Sequence, residues 1–317
     1  MRAADLDYDL PPELIAQRPV EPRDASRLLA RDPATGEVSH RVVRDLPDLL
    51  APGTLAVVND TRVVPARLRL RRPGGGEAEV LLLEPLGDGT WDALARPSRR
   101  LRPGMALAGD AGPAVELVER GQEGRWLVRL VGEPGGEVPL PPYIRERLAD
   151  EGRYQTVYAR EAGSAAAPTA GLHLTPELLA RLDVARVTLH VGLDTFRPLA
   201  VDDLAEHRIH GERYAVEPAE WERIRAAETV LAVGTTTVRV LETIAAGGPL
   251  AGRTELFVTP GFRFRRVDRL LTNFHLPRST LLALVMAFAG VEETRRLYRL
   301  AVEEGYRFYS FGDAMLL

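Results

Sequence analysis

Five of the six histidines (His173, His190, His207, His210 and His275) fall between residues 173 and 275, and imidazole is the side chain best suited to moving protons near neutral pH. In the stretch VARVTLHV, Val187, Leu189 and Val191 share one face of a strand, while Thr188 and His190 share the other. His190 then stands at the strand's carboxyl end, where open α/β folds bind ligands; a hydrogen-bonded structural histidine is the alternative. EHRIH sets His207 and His210 three residues apart, a spacing able to hold a metal on a helix, but no HExxH-type acid accompanies them and no metal is expected. VLAVGTTTVR puts Gly234 at a strand end, with Thr235 and Thr236 opening a helix. Free N–H groups there can receive a carboxylate or phosphate, and a plain threonine cap is the alternative. LPRSTLL repeats the idea, with Ser279 or Thr280 capping a helix behind Pro277. NDTRV offers Asn59, Asp60, Thr61 and Arg62 just after a strand, although Asx-turn chemistry accounts for the first two. GSAAAPTAGLHLT is a small-residue loop whose bare backbone can lie against a ligand; a surface loop is the alternative.

Composition removes whole classes of chemistry. All 41 cations are arginine and there is no cysteine, which excludes a Schiff-base lysine, a P-loop lysine, a thiol nucleophile, thiolate metal sites and disulfides. No G-x-G-x-x-G joins a strand to a helix, so a Rossmann nucleotide site is not expected. A net charge of −4 argues against a general nucleic-acid binder, yet the arginines cluster. One group is Arg62, Arg67, Arg69, Arg71 and Arg72, a second is Arg96, Arg99, Arg100 and Arg102, and a third is Arg263, Arg265, Arg266 and Arg269, interleaved with Phe262 and Phe264. Such groups suit the phosphates and stacked bases of an RNA loop, with a solvated face as the alternative. Two Asn and three Gln in the whole chain fit either thermophily or GC-rich coding, and a raised melting temperature is expected. The first residues lack a signal-peptide core, and the longest apolar run, Leu281 to Ala289, is about half a membrane span. A cytoplasmic protein without membrane contact is the expectation.

These residues need a scaffold, and the periodicity changes along the chain. LAVVND reads as a buried strand and PPELIAQ as a short helix. From about Arg62 to Leu140, RLRLRR, EAEVLLLEPL, WDALARP, AVELVER and RWLVRLV are short β-type runs separated by glycine-rich turns. Afterwards strands (VARVTLHV, VLAVG, TELFV, RFYSF) alternate with helices (PAEWERIRAAE, TTTVRVLETIA, STLLALVMAFAG, VEETRRLYRLAVEEG), which implies a mainly parallel sheet, open or barrel-like. The expected fold is α/β: a barrel-like α/β domain built from residues 1–61 and 141–317, with a small antiparallel β-barrel domain, 62–140, inserted into it.

Ordered strings along the whole chain carry a specific resemblance: DYDLPPELIAQRP, RDASRLL, NDTRVVPARL, ARPSRRLRPG, LPPYI, YQTVYA, GSAAAPTAGLHLT, VTLHVGLDTFRPL, HRIHGERY, AVGTTTVR, TNFHLPRSTLLALVMAFAG and YRFYSFGDAMLL. The chain resembles the S-adenosylmethionine:tRNA ribosyltransferase-isomerase family of queuosine biosynthesis. It departs where the family pattern has Gly at Asp194, Phe at Leu174 and Ser at Thr237. The resemblance implies an α/β barrel-like fold with an inserted β-barrel. It also implies transfer and isomerisation of the ribosyl part of S-adenosylmethionine onto 7-aminomethyl-7-deazaguanine at a tRNA wobble position, giving epoxyqueuosine tRNA, adenine and methionine. S-adenosylmethionine would be a co-substrate, tRNA the macromolecular partner, and the protein a monomer that needs no metal. A methyltransferase using the same co-substrate, or a non-catalytic RNA-binding protein, are the rival classes.

The sulfonium acidifies the neighbouring 5′ carbon, so a base can remove its proton and adenine can leave. The attacking amine must be neutral. Without Lys or Cys, only His, Asp, Glu or Tyr can do this work. On the resemblance, base work falls to His190 or His173, with His210 and His275 as alternates. Gly234, Thr235 and Thr236 would hold the methionine carboxylate. Asn59, Asp60, Thr61, Arg62, Thr169, Gly171, Arg239, Asn273, Ser279 and Thr280 would contact substrate, and Arg67, Arg69, Arg71, Arg72, Arg99, Arg100, Arg102, Arg263, Arg265 and Arg266 would grip phosphates of the anticodon arm.

Overall fold

The computed structural model describes residues 1–109, 114–122, 124–132, 135–146, 148–192, 199, 201–209 and 211–317, so His210 and Asp194 lie outside the described residues. Nine strands make one sheet, in spatial order β15 (Ala251–Thr254), β13 (Glu212–Ala215), β12 (Asp183–Leu189), β3 (Leu55–Asn59), β14 (Val230–Val233), β16 (Arg269–Asn273), β17 (Ala314–Leu316), β1 (Arg27–Arg31) and β2 (Val38–Val42). The run β12, β3, β14, β16 is parallel, so four strands end at one edge. β1 is also parallel to β17, whereas β13, β15, β2 and the β16–β17 pair run antiparallel. The expected parallel order therefore holds at the centre of the sheet and gives way to antiparallel pairing towards its margins.

The central strands read as unbroken apolar runs because both faces are covered. Leu55 and Val57 of β3 join an apolar cluster with Ile224 of α2 (Pro218–Ala226), Val238 and Leu241 of α3 (Thr235–Ala245), Leu282 of α4 (Thr280–Ala289) and Leu297 of α5 (Val291–Glu303). Ala56 and Val58 face the opposite cluster, with Leu178 of α1 (Pro176–Leu179), Val43 and Leu46. Alternating side-chain direction along a strand buried on both faces is thus what puts successive residues into two different cores.

A second sheet has the order β5 (Arg67–Arg71), β6 (Glu77–Gly87), β7 (Thr90–Arg96), β10 (Arg125–Val131), β9 (Ala114–Arg120), β8 (Ala106–Leu107), antiparallel throughout. Arg71 and Ala108 exchange backbone hydrogen bonds of 2.7 and 3.1 Å, which bring the first strand against the last and curl the sheet into a small barrel. Its interior holds Leu68, Val80, Leu82, Leu117, Trp126 and Val128. The chain runs into the barrel beside the segment that leaves it, with Arg67 bonded to Glu137 and Gly136 to Pro65. A parallel pair, β4 (Thr61–Val63) with β11 (Glu161–Ser164), lies at that junction.

Three local expectations are corrected. PPELIAQ forms only a 3-10 turn, Pro12–Leu14. TELFV is not a strand: β15 ends at Thr254 because the Arg239 guanidinium takes the carbonyls of Thr254 (3.1 Å) and Leu256 (3.0 Å), turning the chain away from β13. RFYSF is a buried aromatic turn in which the Asp313 carboxylate accepts from the backbone N–H of Arg307 (2.8 Å) and of Arg27 (3.1 Å), and the following residues, Ala314–Leu316, form the strand. Because Trp126 is fully buried in the small barrel, Trp126→Ala should cost about 3–5 kcal/mol, read as a lower urea midpoint. An unchanged midpoint would show that the barrel does not unfold with the measured transition.

Candidate functional site

A cavity of about 400 Å³ lies between the outer face of the barrel and the edge where the parallel strands end. The barrel contributes Leu83, Glu84, Asp92, Leu94 and Arg125; the main sheet and its helices contribute His190, Glu212, Arg213, Thr235, Thr236, Arg239, Arg253, Phe257, Thr280 and Leu284. The volume falls within the roughly 300–1,000 Å³ of ordinary small-molecule sites.

His190 directly follows the last residue of β12, so its ring emerges at the strand end. Its Nδ1 lies 2.9 Å from the Thr61 hydroxyl, which in turn reaches the Glu161 carbonyl at 3.5 Å. With that hydroxyl donating to the carbonyl, Thr61 Oγ1 accepts from Nδ1–H, and the lone pair of the imidazole is on Nε2, which has no protein partner among the described residues. Burial, reinforced by the Arg213 guanidinium, holds this imidazole below its ordinary pKa, with Glu161 and Glu84 opposing. It is therefore an unprotonated base at neutral pH. Gly163, with φ of 146°, passes so close that a Cβ there would stand 3.0 Å from the ring, so glycine keeps this wall flush with the imidazole.

Asn59 positions both partners. Its Nδ2 donates to the Leu189 carbonyl (3.0 Å) and the Thr236 hydroxyl (3.1 Å), and its Oδ1 accepts from the N–H groups of Leu189 (3.0 Å) and Thr61 (3.2 Å). Fully buried, it joins the ends of β3 and β12 to the first turn of α3. That helix starts after Gly234, whose φ of 90° makes the tight strand-to-helix turn, and Thr235 and Thr236 line the cavity. The first N–H groups of a helix have no intrahelical acceptor, which makes this wall receptive to an anion.

Other expected residues are placed elsewhere or are already engaged. Arg239 lines the cavity, but its guanidinium is ion-paired with Glu212 and bonded to two carbonyls. Asp60 is buried, accepts from Thr188 Oγ1 at 2.7 Å, and is pushed above the usual carboxylate range by desolvation; Arg62 points outward on β4. Ser279 caps α4 through the Leu282 N–H (3.2 Å), while Thr280 reaches the cavity. Thr169 and Gly171 belong to the turn Thr169–His173, whose Ala170 covers Gly234, so the small-residue segment is packed over the strand ends. Asn273 bonds the Tyr309 carbonyl (3.0 Å) and His173 Nε2 (3.3 Å), and neither lines the cavity. His275 is bonded to Thr272 at 2.7 Å, also away from it. His207 does line the cavity, edge-on to Phe257 with ring centroids 5.3 Å apart.

No sequence pattern marks Glu84, which accepts from Arg253 (2.6 Å) and pairs with Arg213 (3.3 Å) across the cavity. Glu212 was equally hidden: its Oε1 accepts from the Gly192 N–H at 2.8 Å while Oε2 holds Arg239. Alternation within GERYAV could have marked Glu212 and Tyr214 as inward-facing, but only the tertiary fold pairs Glu212 with Arg239. Among the described residues, no group of three His, Asp or Glu side chains is arranged to hold a metal.

Burial pushes His173 down to about 4 and His275 down to about 3. The unfolded chain binds protons on both rings as pH falls through the ordinary histidine range near 6.5, whereas the folded chain does not. Stability from each ring is therefore complete above about pH 6.5 and is lost as pH falls towards the folded values, by about 2 kcal/mol per ring at pH 5. Urea midpoints at pH 7 and pH 5 check this: His275→Gln should reduce the fall by about that amount, and an unaltered fall would mean the ring is not held neutral.

The family model described as queuosine biosynthesis protein matches residues 3–317. An S-adenosylmethionine:tRNA ribosyltransferase-isomerase of Rubrobacter xylanophilus is 57% identical, covering 100% of this chain and 98% of its own. The enzyme of the same name from Moorella thermoacetica is 53% identical over the whole of both chains. A crystal structure of the S-adenosylmethionine tRNA ribosyltransferase of Thermotoga maritima aligns with a TM-score of 0.57 at 40% identity, covering 98% of this chain and 99% of that one. The matches run nearly end to end at these identities, and the chain belongs to the queuosine biosynthesis protein family.

Proposed function

We propose that this protein transfers and isomerises the ribosyl group of S-adenosylmethionine onto 7-aminomethyl-7-deazaguanine in the wobble position of a tRNA, releasing adenine and methionine. The observation that carries the reading is a neutral imidazole, His190, whose Nδ1 is engaged by Thr61 and whose Nε2 is left free in a cavity beside a helix N-terminus. Family membership supplies the reaction, since the relatives carry its name. We place residues 1–61 and 141–317 in the catalytic α/β unit and 62–140 in an inserted barrel, and take one chain, acting in the cytoplasm, as the working enzyme. No helix among the described residues is long and apolar enough to cross a membrane.

The division of labour follows from charge. The methionine carboxylate lies at the start of α3, where the Thr235 and Thr236 hydroxyls and unpaired N–H groups meet it. The Arg239–Glu212 pair, buried and mutually neutralised, shapes that wall without offering a free charge. The sulfonium then falls near His190, where a cationic imidazole would be repelled and a neutral one is not. His190 Nε2 takes the proton from the carbon next to sulfur, and Thr61 Oγ1 accepts the Nδ1–H of the imidazolium that forms. His173 and His275, bonded to protein groups away from the cavity, hold their surroundings in place.

Mixing the protein with S-adenosylmethionine and tRNA bearing the aminomethyl base should release free adenine, separable by chromatography. Formation of S-adenosylhomocysteine instead would identify a methyltransferase, and no small-molecule product would overturn the reading. His190→Ala should lower turnover by about 10²–10⁴ without loss of fold. Because the His190 pKa is depressed, protonation of this imidazole should add a further fall to kcat/KM only below pH 6.5, beneath the slope set by the substrate amine. Thr61→Val should lower kcat by about tenfold, the worth of one hydrogen bond to a charged group, and move that acidic limb to still lower pH. Thr61→Ser should restore both, and a limb unmoved by Thr61→Val would separate Thr61 from the base.

A further inference from the structure

Three arginine groups are equivalent in sequence, but the fold treats them differently. In the first, Arg69 is forked onto Glu137 (3.0 and 3.1 Å), Arg71 is also engaged, and both stand opposite Glu79 and Glu77 across the β5–β6 pair. In the third, Arg266 donates to the carbonyls of Ile224 and Ala227 and pairs with Asp268, and Arg269 donates to Leu317. Arg62, Arg72 and Arg263 of these two groups have no carboxylate partner among the described residues, but none of them lines the cavity. In the second group, Arg99 and Arg100 are exposed on the turn Ser98–Arg100 with no carboxylate partner among the described residues, and Arg102 reaches only the Arg99 and Leu101 carbonyls.

The location of that turn matters as much as its charge. Ala93 and Ala95 of β7 point into the barrel, so Asp92, Leu94 and Arg96 share its outer face, and the first two wall the cavity. Arg96 lies about 7 Å further along the same face, at about 3.3 Å per residue, and the turn carrying Arg99 and Arg100 follows directly. Exposed cations therefore continue the cavity wall outwards. Arginine forks match phosphate oxygens in pairs, and cations without a carboxylate can bind phosphate without first breaking an ion pair.

We propose that Arg99, Arg100 and Arg102 form the phosphate-binding platform that holds the tRNA backbone while the wobble nucleotide enters the cavity. This rests on the tRNA-modifying reading above. Within the other two groups, Arg69, Arg266 and Arg269 serve as ion pairs and carbonyl ligands.

The test compares the wild-type protein with the triple variant Arg99→Ala/Arg100→Ala/Arg102→Ala, using fluorescently labelled tRNA that bears the aminomethyl base. Anisotropy titrations across a salt series read the Kd and its salt slope, and adenine release reads KM and kcat. The proposal expects Kd and KM for tRNA to rise at least tenfold, and the slope of log K against log salt to become shallower by about two to three, at roughly 0.7–0.9 per phosphate contact. Binding of S-adenosylmethionine alone and the urea midpoint should not change. A control variant, Arg223→Ala/Arg225→Ala/Arg295→Ala, removes three ion-paired arginines elsewhere and should alter the slope by less than one. Wild-type Kd and slope in the platform variant, or an equal loss in the control, would overturn the platform while leaving the reaction intact. A wild-type protein that neither binds this tRNA nor releases adenine would instead remove the functional reading, and the platform with it.

Discussion

Four hydrogen bonds from one buried carboxamide hold the reactive edge together. Asn59 sits at the end of the central strand and uses both of its N–H groups and both lone pairs of its oxygen, on Leu189, Thr236 and Thr61. Each partner is one step from chemistry: His190 follows Leu189, Thr236 opens α3, and Thr61 meets the imidazole. A buried amide left with an unmatched group costs about 1–3 kcal/mol, so the three segments hold their relative positions within narrow limits. The parallel order of β12, β3 and β14 makes this possible, because only parallel neighbours end side by side at one edge.

The barrel completes what the sheet begins. On its own, the strand edge would face water, where a helix terminus attracts anions weakly and an imidazole keeps its ordinary pKa. Burial lowers the local dielectric, which both depresses the His190 pKa, against the opposing Glu161 and Glu84 carboxylates, and strengthens the field at the start of α3. Glu84 spans the gap to Arg213 and Arg253, a partly exposed brace that is individually weak. The same strand that walls the cavity leads on to Arg96 and the turn Ser98–Arg100, so exposed cations adjoin the site.

Much of this was legible in the residues. The helix and strand periods located β3, β12, β14 and α2 to α5, and the glycine-punctuated runs marked the barrel strands, although the two-residue β8 was too short to register. His190 at a strand end and Thr235 and Thr236 at a helix start line the cavity, whereas the NDTRV cluster begins at the end of β3 without lining the cavity and Arg62 points outward. Their roles were less visible. Asn59 and Thr61, read as ligand contacts, bond to protein groups in the structure, and no local pattern distinguishes a side chain that touches substrate from one that aligns its neighbour. Pairings such as Arg239 with Glu212, or Arg253 with Glu84, join residues far apart in the chain, and sequence periodicity carries no information about them. RFYSF misled because its aromatic run mimics a strand while its backbone N–H groups go to scattered acceptors, Arg307 to the Asp313 carboxylate, Phe308 to the Leu14 carbonyl and Tyr309 to the Phe274 carbonyl.

Co-crystals with S-adenosylmethionine offer the most direct test of the account. Density should place the carboxylate at the first turn of α3 and the carbon beside the sulfonium within about 3.5 Å of His190 Nε2, the separation of a near-attack geometry. Ligand density outside the space between barrel and strand ends, or a sulfonium with its neighbouring carbon turned away from His190, would contradict it.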